Sequence, residues 1–366
     1  MRLACKNLIH DRVRFILAVA GIAFSTFLML FQGSLLAGFL RSASRVIDST
    51  DADLWVMARG VPSFDFAAPL PMDYRGLAAG TPGLRAMFRV ISAQVLWQRP
   101  DGSRKTVSFI GTDPGISGEY PVHEVLPPHT AYIDASDLDA LGIARVPAST
   151  EINGRRAEVA RAVEGFGTFL GSPYIFARYD DAERCVQNIG DRYTFLLLKL
   201  APEQNVRRAQ LVLRQRIPEA DVWTRDQFAS RARTYWLLQT GAGGALLTAG
   251  LLGFLVGVLI ISQTTYATTM ENLEEFATLK ALGASRFFVA RLVWTQAAVA
   301  AVVGAAVGIA VAYPALELAR GFIPWIYTPP VFPPALAVTS LLMATIASIT
   351  AARAALTVEP GKVFRA

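Results

Sequence analysis

Four stretches of this chain contain no Asp, Glu, Lys or Arg: Phe15–Leu40, Tyr235–Met270, Leu292–Leu316 and Gly321–Ala352. Charged residues are only 17% of the 366, against 53% hydrophobic, a balance that excludes an ordinary soluble protein. Each run exceeds the roughly 20 residues a helix needs to cross about 30 Å of hydrocarbon. Buried helices of a large soluble core normally keep a polar stripe, so four uncharged runs of this length read as membrane spans. The missing charge also argues against a proton or ion pathway through the bundle. Histidine is scarce, at three residues. In His123-Glu-Val-Leu-Pro-Pro-His129 the second His comes six positions after the first instead of four. Its prolines forbid the helix that would put both on one face, so no metal site is expected. No G-x-x-x-x-G-K-[ST] phosphate loop occurs; Gly361-Lys362 lacks the preceding glycine and the following hydroxyl. Gly115-Ile-Ser-Gly118 lacks the spacing of a nucleophile elbow. No catalytic residue and no cofactor are expected.

What is present sets the topology. Pro324, Pro329, Pro330, Pro333 and Pro334 would break a helix begun at Gly321, so the fourth span is expected at 335–352, after an outer loop at 317–334. Trp325 and Tyr327 read as interfacial anchors of that loop. The first run is too long for a signal h-region and no small-x-small site follows it, which predicts a retained helix. Arg2, Lys6, Arg12 and Arg14, then Lys280, Arg286 and Arg291, then Arg353, Lys362 and Arg365 cluster at one set of helix ends, while the opposite short loop has only Arg320. Both termini are therefore expected to be cytoplasmic. The two cysteines, Cys5 and Cys185, then fall on opposite sides and cannot pair, so packing rather than an internal disulfide holds the outer domain. The net charge of +6 arises without a basic stripe, and no nucleic-acid partner is expected.

The segment 41–233 has the polarity of a soluble module. Asp53–Met57 reads as a strand, Met72–Ala79 as a short helix and Leu84–Trp97 as one or two strands. Near its end, Thr194–Lys199 reads as a strand, Pro202–Arg216 as a helix and Ala220–Trp223 as a strand. Two such β-α-β units around a middle stretch predict a split α/β sheet with an inserted subdomain at about 114–190. The fold class is thus an α-helical membrane protein with four transmembrane helices plus a mixed α/β extracytoplasmic domain. Thr224-Arg-Asp-Gln227 fits a capping box, from which one helix of about 70 Å would reach Met270; the alternative is a break at Gly241-Ala-Gly-Gly244. Gly253-x-x-x-Gly257 and Gly304-x-x-x-Gly308 put small residues on one helix face, suiting packing within the bundle as well as dimerisation.

Between the second span (234–270) and the third (292–316), the segment 271–291 carries the densest pattern. Leu273, Phe276, Leu279 and Leu282 recur at helical spacing, Glu271, Glu274 and Glu275 make its start acidic, and Gly283 is placed to end it. Ser285 is placed to cap the next helix. The alternatives are an amphipathic helix on lipid headgroups and a helix docked on another protein; the acidic start favours the second.

Glu275-Phe-Ala-Thr-Leu-Lys-Ala-Leu-Gly-Ala-Ser285, with Ala351–Leu356 and Glu359–Arg365 in the tail, resembles the FtsX-like permeases, the membrane subunits of MacB-type ABC transporters. Leu3–Leu8, Val19–Ile22 and Asp51–Val56 look closest to DevC-type exporter permeases. The resemblance implies a bacterial inner-membrane permease with a MacB-like periplasmic domain at 41–233, a cytoplasmic N-terminal helix and first span at 1–40, and a cytoplasmic tail at 353–366. It also implies a second copy of the chain, two separate cytoplasmic ABC ATPase subunits, membrane lipid, and in tripartite systems a membrane-fusion adaptor and an outer-membrane duct. Glu271, Leu273, Glu274, Glu275, Phe276, Leu279, Lys280 and Gly283 would form the ATPase-coupling segment, and long helices would transmit its motion outward to drive export. This chain departs from the fused MacB form in having no ATPase domain, so ATP binding falls to another chain. The alternative is an FtsX-like transducer regulating an envelope partner such as a cell-wall hydrolase; the large outer domain favours the exporter.

Overall fold

The computed structural model describes residues 12–122, 125–186 and 192–357. Cys5, Arg2, Lys6, His123, Glu124 and the tail from Val358, on which some of the expectations above rest, lie outside them. In chain order the helices of seven residues or more are α1 (Arg12–Ser49), α2 (Asp73–Ala79), α3 (Tyr179–Cys185), α4 (Val206–Arg216), α5 (Arg225–Thr234), α6 (Gly241–Glu271), α7 (Leu273–Ala281), α8 (Arg286–Arg320) and α9 (Phe332–Thr357). The strands are β1 (Leu54–Ala58), β2 (Leu84–Gln98), β3 (Arg104–Thr112), β4 (Thr130–Asp134), β5 (Ala148–Ile152), β6 (Arg155–Val163), β7 (Tyr174–Arg178), β8 (Phe195–Leu200) and β9 (Ala220–Thr224). The chain divides into two units, one of residues 1–37, 244–322 and 326–366, the other of 38–243 and 323–325.

The first unit is helical. α1, α6, α8 and α9 are each long and apolar enough to cross a membrane. α9 begins at Phe332, earlier than its prolines suggested, because Pro333 and Pro334 occupy the first turn, where backbone N–H groups have no intrahelical acceptor to lose. Ala18, Ile22, Met29, Ile261, Ala297, Ala301, Met343 and Ala347 form its core. Side-chain hydroxyls tie the helices where apolar contact alone gives no direction: Ser25 Oγ donates to Gly253 O at 2.5 Å, Ser34 and Thr328 hydroxyls lie 2.9 Å apart, and Trp294 Nε1 donates to Thr345 Oγ1 at 3.0 Å.

The second unit is a mixed α/β domain on a nine-stranded sheet in the order β3-β7-β4-β6-β5-β2-β8-β1-β9. Its right half, β2-β8-β1-β9, is antiparallel throughout, with α2 linking β1 to β2 and α4 linking β8 to β9. This is the β-α-β-β-α-β arrangement of ferredoxin-like folds. β1 is buried on both faces. Leu54 and Val56 join the core that holds Ala78 of α2 and Leu213 of α4, while Trp55 and Met57 pack with Val46 and Ile47 of α1 and Phe228 of α5. Alternation with period two is why four consecutive apolar residues serve two cores.

Between β2 and β8 the chain inserts a second substructure. β2 pairs with both β3 and β5, and β3 pairs with β7, so β2, β5, β6, β4, β7 and β3 close into a six-stranded ring. Trp97, Phe109, Ile133, Ile152, Val159 and Ile175 belong to the buried core here. The ring takes in β3 and the distal half of β2, so the insertion begins before residue 114. β2 is 15 residues long because its first half belongs to the open half sheet and its second half to the ring. Gly118, at φ +102°, lets this substructure pass against the end of α1: a Cβ there would strike Ser49 O, whose carbonyl accepts Glu119 N–H at 2.8 Å. Beside the ring, Asp137 Oδ2 is buried with no hydrogen-bond partner among the described residues. Burial first, and the Asp134 charge second, push its carboxyl up to about 7.

One 70 Å rod from Thr224 to Met270 does not form. α5 starts on its capping box, Thr224 Oγ1 accepting Gln227 N–H at 3.2 Å and Gln227 Oε1 accepting Thr224 N–H at 3.1 Å. It then widens into a π-turn at Tyr235–Gln239, and Thr240 is extended (φ −109°, ψ 147°) before α6 begins. Thr240 Oγ1 donates to Trp236 O at 2.5 Å. The break falls at the start of Gly241-Ala-Gly-Gly244, where a Cβ on Gly243 would strike Trp236 O and Leu237 Cα, and Trp236 is buried beside Phe39, Phe66 and Phe169 with ring centroids 6.0, 5.8 and 4.8 Å away. The wide turn accommodates a side chain held by packing rather than by the helix ladder. Trp325 packs on Phe39 and Phe169 in the same unit (6.4 and 6.5 Å), so its ring is committed to protein.

Candidate functional site

The segment between α6 and α8 is a tight helix-turn-helix built from local signals. Asn272 precedes α7, with Nδ2 turned back to Thr268 O at 2.8 Å. At the other end Gly283 takes φ +92°, its N–H donating to Lys280 O at 3.0 Å while Ala284 N–H donates to Leu279 O at 2.9 Å. Those paired bonds make a Schellman turn, which only a residue free to adopt left-handed backbone closes without strain. Two residues later Ser285 Oγ accepts Phe288 N–H at 3.2 Å and starts α8.

The expected coupling residues sort onto two faces. Phe276 is 2% exposed and Ala277 fully buried. Phe276 packs with Val289 and Val293 of α8 and with Ala351 and Ala355 of α9, with Leu279 alongside. Lys280 Nζ donates to Ala355 O at 3.3 Å and Leu356 O at 2.7 Å, satisfying carbonyls that the last turn of α9 leaves without an N–H. Phe276 and Lys280 therefore hold α7 onto the chain's own helices, Phe276 buried and Lys280 still partly exposed. The reason is geometric: an apolar stripe at i, i+3 is equally suited to a neighbouring helix of the same chain, and α8 and α9 supply one. Glu274, Glu275 and Thr278 are exposed on the other face, as is Glu271 at the end of α6; Leu273 opens the helix.

Sequence reasoning placed Leu282 in the apolar stripe of α7 and missed Phe287 and Phe288 at the turn. Leu282, Phe287 and Phe288 are 80%, 76% and 46% exposed. The signal was Phe287-Phe288 directly after the Ser285 cap, where neither ring is covered by the first turn. The exposed surface of this segment is therefore an acidic strip followed by an apolar tip.

The paired glycines converge on α1. A Cβ on Gly253 would meet Met29 at 3.4 Å and Leu28 at 3.5 Å, and on Gly257 would collide with Met343 and Ser25. On Gly304 it would lie 2.6 Å from Ile22 Cβ, and on Gly308 it would strike Ala23 O. α6 and α8 thus meet α1 through missing side chains at 22–29. Among the described residues no group of three or more His, Cys, Asp and Glu is placed to hold a metal.

Residues 247–360, which include all of α7, the turn and α8, match the family described as FtsX-like permease C-terminal. Over 329 residues the chain is 23% identical to proteins of two Mycobacterium tuberculosis strains, CDC 1551 / Oshkosh and ATCC 25618 / H37Rv, covering 89% of this chain and 88% of theirs. Both are described as uncharacterized ABC transporter permeases. Among solved structures it is similar to the periplasmic region of MacB from Actinobacillus actinomycetemcomitans, with a TM-score of 0.38, 11% identity, and coverage of 50% of this chain and 94% of that one. It is also similar to the extracellular domain of the noncanonic ABC-type transporter YknZ from Gram-positive bacteria, with a TM-score of 0.33, 13% identity, and coverage of 47% and 98%.

Proposed function

We propose that this chain, an FtsX-like permease of the ABC transporter class, is the membrane subunit of an exporter whose ATP hydrolysis resides on a separate cytoplasmic ATPase. The observation that carries the reading is the α7 segment. It lies within the family-matched stretch, is fixed rigidly to its own bundle by Phe276 and Lys280, and presents an acidic strip and an apolar tip outward. A rigid mount with an exposed tip is suited to receiving displacement from a partner, whereas a loosely tethered helix would dissipate it. In this reading the termini and α7 are cytoplasmic, the α/β domain is periplasmic, two copies pair with two ATPases, and an adaptor with an outer-membrane duct completes the route.

Because the outward face is distinct from the packed one, the test separates contact from support. Leu282→Asp and Phe287→Asp should abolish co-purification of the ATPase and transport while leaving thermal unfolding of the permease unchanged. Interface energy concentrates in a few such apolar anchors. If both variants retain the ATPase and transport like the parent, the segment is not the coupling element.

A further inference from the structure

At one side of the six-stranded ring lies a cavity of about 290 Å³, near the lower end of small-molecule pockets. Its apolar lining comes from Phe109, Ala131 and Ala177, one each from β3, β4 and β7. Arg155 and Arg156 of β6 and Arg184 of α3 also line it; neighbours on one strand project to opposite faces, so of the β6 pair it is Arg155 that shares the face of Ala157 and the buried Val159. Among the described residues none of the three makes an ion pair. The lining contains a single carboxylate, Asp181, whose side chain is 7% exposed; its Oδ2 accepts the backbone N–H of His129 at 2.9 Å. Arg155 and Arg184 beside one engaged anion leave the cavity electropositive.

The walls are held in place. Asn153 and Gly154 both take positive φ, +47° and +74°, the two-residue turn that joins β5 to β6 and delivers Arg155 to the rim. The Asn153 side chain pins that turn twice, accepting Leu96 N–H at 2.9 Å and donating to Cys185 O at 2.9 Å. The second bond ties the β6 arginines to the helix that carries Arg184. His129, at φ +60°, has its N–H on Asp181 and its carbonyl on Glu158 N–H at 2.8 Å. A non-glycine residue held in left-handed backbone costs energy that its surroundings must over-determine, and such positions gather at binding sites.

We infer that this cavity is a binding site for a small organic anion, a phosphate ester or carboxylate carrying one ring-sized apolar group. The guanidinium forks match the two oxygens of such a head, and the Phe109, Ala131 and Ala177 surface covers its apolar part. Inorganic phosphate lacks the second feature and a neutral alcohol lacks the first.

The test is titration calorimetry on the full chain in lipid nanodiscs with phenyl phosphate, inorganic phosphate and benzyl alcohol, with thermal unfolding recorded for every variant. Phenyl phosphate should bind saturably at one site per chain, at least tenfold more tightly than either other probe. Arg155→Ser combined with Arg184→Ser should weaken it at least tenfold. Ala157→Phe, which fills the cavity from a half-exposed lining position, should abolish it with unfolding unchanged. Absence of saturable binding to the parent chain overturns the site. Equal affinity for phenyl and inorganic phosphate overturns the apolar part, and binding unchanged in folded variants places the anion elsewhere.

Discussion

Phe276 is the residue whose meaning changed most between sequence and structure. Its helical spacing with Leu273 and Leu279 was legible, but spacing says only that a face is apolar, not what covers it. The structure gives that face to Val289, Val293, Ala351 and Ala355. Truncating a buried Phe costs about 3–5 kcal/mol. Phe276→Ala should therefore lower the unfolding temperature of the protein, measurable by thermal scanning in detergent, and weaken binding of the proposed ATPase partner as a consequence of that loosening. Asp137 carries a second prediction. Its folded-state pKa of about 7 lies above the ordinary 3.8, so between roughly pH 4 and 7 the folded form keeps a proton that the unfolded form releases. Stability is thus highest near pH 4 on this account, falls as pH rises to 7, and is flat beyond. Asp137→Asn should be neutral at pH 4 and stabilising above pH 7, by on the order of 1–2 kcal/mol after solvent relaxation. Unfolding temperatures at pH 4, 6 and 8 check the trend. No sequence pattern announced this group, because nothing local marks the approach of Asp134 or the burial of Asp137.

At the scale of elements, what local chemistry dictates was readable. The Thr224 capping box, the Ser285 cap and the Gly283 turn depend on residues within five positions of one another, and all form. The two β-α-β units were legible for the same reason: strand alternation and helix spacing repeat over short windows. The ring was not, because its closure depends on β3 pairing with β7 and β4 with β6, parallel pairings between strands far apart in sequence. The continuity of the second long helix also misled, since absence of proline does not secure a helix where a glycine cluster follows a buried Trp236. Trp236→Ala removes that packing and should raise helix continuity through Thr240, seen as added amide-exchange protection at residues 237–241. The glycine contacts with α1 carry a further prediction. Gly304→Leu and Gly308→Leu place side chains against Ile22 and Ala23 and should destabilise the bundle by roughly 1–3 kcal/mol or more, read as lower unfolding temperature and yield. Gly244→Ala, which meets nothing within 4 Å, is the control and should be silent.

For the whole molecule, the proposed assembly leaves this chain without a nucleotide site of its own. Purified permease freed of its ATPase should neither bind nor hydrolyse ATP, and the native complex should contain two permeases with two ATPases by native mass spectrometry. A different consequence follows from the inserted ring. β1 pairs on both sides with strands that come much later, β8 and β9, and about 140 residues separate Ala58 from Phe195. At roughly 5–20 residues per second a ribosome needs on the order of 10 s to supply that partner. Throughout that interval Leu54-Trp-Val-Met57, an uncharged segment with both edges open, waits without a place in any sheet. The ring needs only residues from β2 to β7, all made before β8, so it is free to close early and hold the distal half of β2 in its final pairing. The half sheet then zips onto a strand already fixed at one end. If the ring closes first, slowing its closure should expose β1 to chaperones and proteases long before the finished protein shows any loss of stability.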